Sequence, residues 1–209
     1  MININKVTQI RKWVVLGLVV ALLAGNDFLI PQEAKGDATT LTATVATTVS
    51  CTTAGSPSAF GTITSASIVT STPNTTTTLT CNPANGCTLS VKDGGDGTSP
   101  GLTTTPTYII GSASAAYADT ATLAAGTEGY GIQAVTTSAG TGTVTPLIYI
   151  RYKQTGQAVG GFELTNQGLA SSSAPISGRE IAVTHFAAIS GLTGGGTYQD
   201  IVTYSCAAN

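Results

Sequence analysis

From residue 37 onward the chain lacks helical periodicity. No stretch of a dozen residues repeats apolar side chains at i, i+3, i+4 and i+7, and Gly, Pro and Thr interrupt throughout. Alternation at period two takes its place, which confines the chain to strands whose successive side chains point to opposite faces. Leu41, Ala43, Val45, Val49 and Cys51 share one parity, with Thr filling most of the gaps. Leu79 and Cys81 close a Thr-rich run from Thr75, and Cys87, Leu89 and Val91 again share a parity before Asp93-Gly94-Gly95-Asp96-Gly97 makes a turn. Further strands are expected over 107–110, 130–135, 180–186 and 198–206. Leu147 to Lys153 reads as the clearest central strand, with Ile148, Ile150 and Tyr152 on one face and Tyr149, Arg151 and Lys153 on the other. Many short strands between Gly, Pro, Asn and Asp turns predict an all-β, two-layer antiparallel sandwich. The stretch from Asp93 to Ala125 is expected to be an elaborated connection within one domain.

The first 36 residues differ in kind. Lys6, Arg11 and Lys12 precede the apolar run Trp13 to Gly25, the pattern of a secretory signal helix. Spanning a bilayer takes roughly 20 apolar residues, so the run is short for that. Small residues Ala34 and Gly36 suit cleavage before Asp37, while the long stretch from Asn26 to Glu33 leaves an uncleaved anchor open. The expected organisation is a signal over 1–36 and a single sandwich domain over 37–209, with an N-terminal extension over 37–50. The expected location is secreted or at the cell surface, with membrane contact only through the signal.

Charge narrows the partners. Beyond the signal the basic side chains are Lys92, Arg151, Lys153 and Arg179, against Asp37, Asp93, Asp96, Asp119, Glu128, Glu163, Glu180 and Asp200. No basic stripe is present to neutralise phosphates, which argues against nucleic acid. Charged residues are 9% of the chain, but hydrophobic residues reach 42%, enough to build a core. Thr suits an exposed pleat because its β-branched side chain is already restricted at χ1.

Cys51, Cys81, Cys87 and Cys206 form an even set in an exported chain and read as two disulfides. Zinc fits poorly, since Cys81 and Cys87 are badly spaced for a ligand knuckle and His185 is the single histidine. His185 shares parity with Ile181 and Val183, so it is expected as a structural residue near the end of a core-facing row. Catalysis finds no support: there is no Gly-x-Ser-x-Gly elbow, and nothing sets Glu128, Glu163 or Glu180 in pairs facing a sugar. Asp93, Asp96 and Asp119 lack full calcium-loop spacing, and Asp with Gly is ordinary turn chemistry. Asp200 is expected to bond to nearby backbone or hydroxyl groups. Tyr149, Arg151 and Lys153 read as a solvated strand face, and Asn74-Thr75-Thr76 as a chance glycosylation sequon. No cofactor or metal is called for.

The order of several motifs adds a resemblance. Ala43 to Cys51, then Phe60-Gly61-Thr62, then Thr77 to Cys81, then Cys87 to Val91 with Gly94, and finally Gly196-Thr197-Tyr198-Gln199-Asp200-Ile201-Val202-Thr203 follow one another. This order resembles the spore coat protein U domain, the pilin-type domain of archaic chaperone–usher fibres, over about residues 41–95 and 190–206. The resemblance implies an immunoglobulin-like sandwich exported to the cell surface, with a periplasmic chaperone and related subunits as partners. It also implies a Cys51–Cys81 bridge. Cys87–Cys206 then follows from expecting the third strand beside the last, while Cys81–Cys87 with Cys51–Cys206 stays open as the competing pairing. Leu41, Ala43 and Val45 would form a strand-exchange segment seated in a neighbouring copy, or else the first strand of their own domain. The expected function is a non-catalytic structural subunit of a surface fibre or coat. The alternative is a monomeric binding module of adhesin type, using loops such as Asp93 to Pro106 or Gly140 to Pro146 for glycan or protein.

Overall fold

The computed structural model describes residues 39–104, 108–113 and 119–209. The expected signal over 1–36 and its expected helix fall outside the described residues, as do Asp37 and Ala38 at the start of the N-terminal extension. Residues 45–209 form one contact unit, and residues up to Thr44 belong to another. All regular structure among the described residues is β.

The larger sheet is built on β13 (Ile176–Ala188), the longest strand. On one side of it lie β3 (Thr75–Cys81) and β1 (Val49–Ala54); on the other lie β8 (Gly129–Thr136), β11 (Ala158–Gly160) and β7 (Thr120–Thr122). Two short strands, β2 (Val69–Thr70) and β9 (Thr141–Gly142), pair with opposite ends of β13. The smaller sheet runs β10 (Leu147–Ile148), β12 (Gln167–Ser171), β4 (Cys87–Lys92), β14 (Thr203–Ala208). A hairpin of β5 (Gly101–Thr104) and β6 (Tyr108–Gly111) completes the set. All these strand pairings are antiparallel. Loops can join such strands without crossover helices.

Alternation sets the two inner faces. In β3, Thr75, Thr77, Leu79 and Cys81 are buried while the residues between them are partly exposed; in β4, Cys87, Leu89 and Val91 are buried. Ile132, Ile181 and Val183 from the larger sheet join Leu89, Val91 and Leu169 from the smaller in one core, with Tyr152 and Phe162 filling the space between. Each such side chain contributes about 1.5–3 kcal/mol on burial, which is what holds the layers together in a sandwich-like arrangement. Glycine is required at two tight points. Gly86 has φ +75° in the turn joining β3 to β4, where a Cβ would lie 2.2 Å from the Ser172 carbonyl oxygen. Gly178, at φ +65°, sits where the register of β13 against β3 shifts between Ile176 and Arg179, a bulge.

Three expectations need correction. The disulfides are Cys51–Cys206 and Cys81–Cys87. β14 does lie beside β4, as expected, but Cys87 faces Ala208 and Cys206 faces Leu89. The two cysteines are thus out of register; Cys87 bonds across its own hairpin and Cys206 bonds to β1 in the other sheet. Next, Leu147 to Lys153 is not a central strand. Only Leu147 and Ile148 pair, at the sheet's rim, and the amides of Tyr152 and Lys153 both donate to the Tyr149 carbonyl, closing a turn. Ile150 is therefore 78% exposed, whereas Arg151, expected on a solvated face, is buried with its Nη2 donating to the Gly161 carbonyl. Finally, Leu41, Ala43 and Val45 are exposed and do not form the first strand that was the alternative for them; among the described residues strand structure begins at Val49.

Candidate binding cleft

Where β1 runs past its cysteine toward the loop 55–63, and where β14 begins, the two sheets enclose a cleft of about 770 Å³. One wall is the loop 56–63, the other the β13–β14 connection at 193–200, and the floor includes Thr75, Tyr130, His185 and Tyr204. The connection is pinned at both ends. Thr193 Oγ1 donates to Glu128 Oε1, Tyr198 Oη donates to the Gly194 carbonyl at 2.6 Å, and Gln199 exchanges two backbone bonds of 2.8 Å with Thr103.

The floor is a directed chain of hydrogen bonds. His185 continues the inward row of Ile181 and Val183 on β13, and Tyr130 lies on the adjacent strand β8, opposite Ala187. Tyr130 Oη donates to Asp200 Oδ2 at 3.1 Å, so it accepts from His185 Nδ1, also at 3.1 Å. His185 Nε2 then accepts from Tyr204 Oη at 3.3 Å. Only the Nδ1-protonated neutral tautomer satisfies all three bonds. Burial pushes the His185 pKa down to about 4, with the Asp200 charge opposing, so the ring is neutral at physiological pH. Burial first, then the Asp200 charge, raises both tyrosines, so they are donors rather than phenolates.

Asp200 is also half of a carboxyl pair. The Gly95 amide donates to Asp93 Oδ1 at 2.6 Å and reaches Asp200 Oδ1 at 3.3 Å, which draws both side chains to one point. Asp93 is 2% exposed. Burial first, then the hydrogen bond and charge of Asp200, pushes its pKa up to about 8, against the lowering effect of the Gly95 and Gly101 amides. One proton shared between the carboxyls relieves their repulsion.

The expected roles map unevenly onto this arrangement. Asp200 bonds to a backbone amide and a hydroxyl, and His185 is a buried, satisfied side chain. Asp96 Oδ1 accepts from the Thr98 and Ser99 amides at 2.7 and 2.6 Å, which is turn chemistry. Among the described residues no three His, Cys, Asp or Glu side chains converge as a metal site. Glu128 accepts from Tyr108 at 2.5 Å and Glu180 from Thr137 at 3.3 Å, each in its own surroundings. Sequence reasoning missed the Asp93–Asp200 pair and the cleft itself. Parity held a signal for Asp93, which is the next residue in the inward row Cys87, Leu89, Val91; its partner comes from a loop over a hundred positions away.

Comparison of the chain with protein-family models, with curated proteins and with solved structures finds no match, so the chemistry of the cleft is read from its own residues.

Proposed function

We propose that this chain is an exported, non-catalytic structural subunit of a cell-surface fibre or coat, an immunoglobulin-like, pilin-like sandwich that joins copies by β-strand exchange. The observation that carries the reading is the segment 39–48. It alternates Thr with apolar residues, belongs to no strand, and leaves Leu41 and Val45 at 92% and 82% exposure. An extended segment of this pattern can add to an open sheet edge of another copy, its backbone completing the ladder and every second side chain meeting an apolar face. The cystines and the weakly charged Thr surface suit a structure that works outside the cytoplasm. The partners are further copies or related surface subunits, with a periplasmic chaperone holding the segment before assembly.

Size-exclusion chromatography and negative-stain imaging of the secreted protein test this. Regular polymers are expected, and deleting residues 37–46 should leave a secreted but monomeric protein. Unchanged polymers after the deletion, or a strictly monomeric parent, overturn the reading. The cleft favours a second reading, a monomeric extracellular binding module of adhesin type that recognises glycan or protein.

A further inference from the structure

The chemistry of the cleft lining is selective. Among the described residues it holds no Lys or Arg, and its one acid there is Asp200. An anionic ligand, whether phosphate, sulfate or nucleic acid, would find no counter-charge there and would meet a carboxylate. Much of the lining is hydroxyl-bearing, including Ser58, Thr62, Ser71, Thr75 and Thr197. Asp200 has spare capacity: a carboxylate offers about four acceptor sites, and Tyr130, Gly95 and the proton shared with Asp93 use three.

Apolar surface accompanies these groups. Phe60, edge-on to Tyr130 at 6.1 Å, and Tyr198, edge-on to Tyr108 at 6.3 Å, are held half-buried on opposite walls by those ring contacts. Aromatic faces of this kind receive the C–H faces of pyranose rings, whose hydroxyls then project toward hydroxyl and carboxylate partners. The long walls at 56–63 and 193–200 are loops, and the edge strands β1 and β14 reach the cleft only through Thr53 and Tyr204, which gives a peptide strand little edge to pair with. A volume of about 770 Å³ falls within the range of small-ligand sites.

We infer that this cleft binds a neutral, polyhydroxylated ligand, a short stretch of uncharged glycan, with Asp200 as its polar anchor and Phe60 and Tyr198 as stacking walls. The inference rests on the second reading, that the molecule is a binding module, and is independent of polymerisation. The test is a glycan array carrying neutral, sialylated and sulfated oligosaccharides, followed by titration calorimetry with the best neutral member. Binding confined to neutral members is expected. Asp200→Asn should weaken binding about tenfold, and Tyr198→Ala, which removes one stacking wall, should weaken it at least as much. Circular dichroism of both variants confirms the fold. No neutral glycan bound, or binding confined to the anionic members, overturns the proposal. Binding unchanged in both variants overturns the cleft assignment while leaving the molecule a binding module. Occupation of the cleft by a synthetic peptide of residues 39–48, mapped by NMR shifts, also overturns it.

Discussion

Burial holds Asp93 protonated up to about pH 8 and His185 neutral down to about pH 4. The two shifts act on stability with opposite sign. Asp93 binds its proton more tightly when folded than at its ordinary pKa of 3.8, so its contribution is full below 3.8 and is lost as pH rises through about 8. His185 binds its proton less tightly when folded than at 6.5, so its contribution is present above 6.5 and is lost as pH falls through about 4. Between about 4 and 6.5 they oppose one another, and from 6.5 to about 8 Asp93 acts alone. Melting temperature is therefore expected to fall by roughly 5 °C across that upper window. Asp93→Asn should flatten the decline, because the amide keeps an acceptor for Gly95 and offers Asp200 a donor at every pH. Thermal melts by circular dichroism check this, and a parent protein with no decline would contradict the paired-carboxyl geometry.

The strands differ in how openly the chain announces them. β3, β4 and the middle of β13 alternate cleanly because one face meets the core and the other lies toward solvent. Leu147 to Lys153 alternates just as cleanly yet turns after two strand residues, since parity records side-chain chemistry and not whether a neighbouring strand exists to receive the backbone bonds. Cysteine pairing was illegible for a related reason: adjacency of β4 and β14 was readable, their register was not, and a shift of two residues decided which bridge could form. Peptide mapping without reduction should recover Cys51 with Cys206 and Cys81 with Cys87. The bridges close loops with separations of 155 and 6 residues, so on the chain-entropy model they stabilise by about 5 and about 2 kcal/mol. Chemical denaturation should accordingly show Cys51→Ala with Cys206→Ala losing about twice as much stability as Cys81→Ala with Cys87→Ala. Equal losses would show that loop closure is not what these bridges contribute.

At the scale of the whole molecule, the all-β class and the two layers were legible, whereas the cleft was not, because its walls come from loops 130 positions apart that carry no periodic signal. With charged residues at 9%, little of the stability can reside in surface electrostatics. The melting temperature is expected to move by less than about 2 °C between roughly 0.05 and 0.5 M sodium chloride, over which the Debye length shrinks severalfold. A larger fall would reveal ion pairs that matter to the fold.

The Cys51–Cys206 clasp also dictates where another chain can join. β1 and β14 are the outermost strands of their sheets, and the clasp holds their Cα atoms 6.1 Å apart. Wedging a third strand between two others requires a gap of about 9.6 Å, twice the normal spacing. While oxidised, that flank is shut to a newcomer at the level of the cystine. The opposite rims, β7 and β10, carry no such rivet, and β10 presents Leu147 to solvent at 75% exposure. Copies that zip together would therefore grow from those rims, and reduction of a single bond would unlock a second doorway.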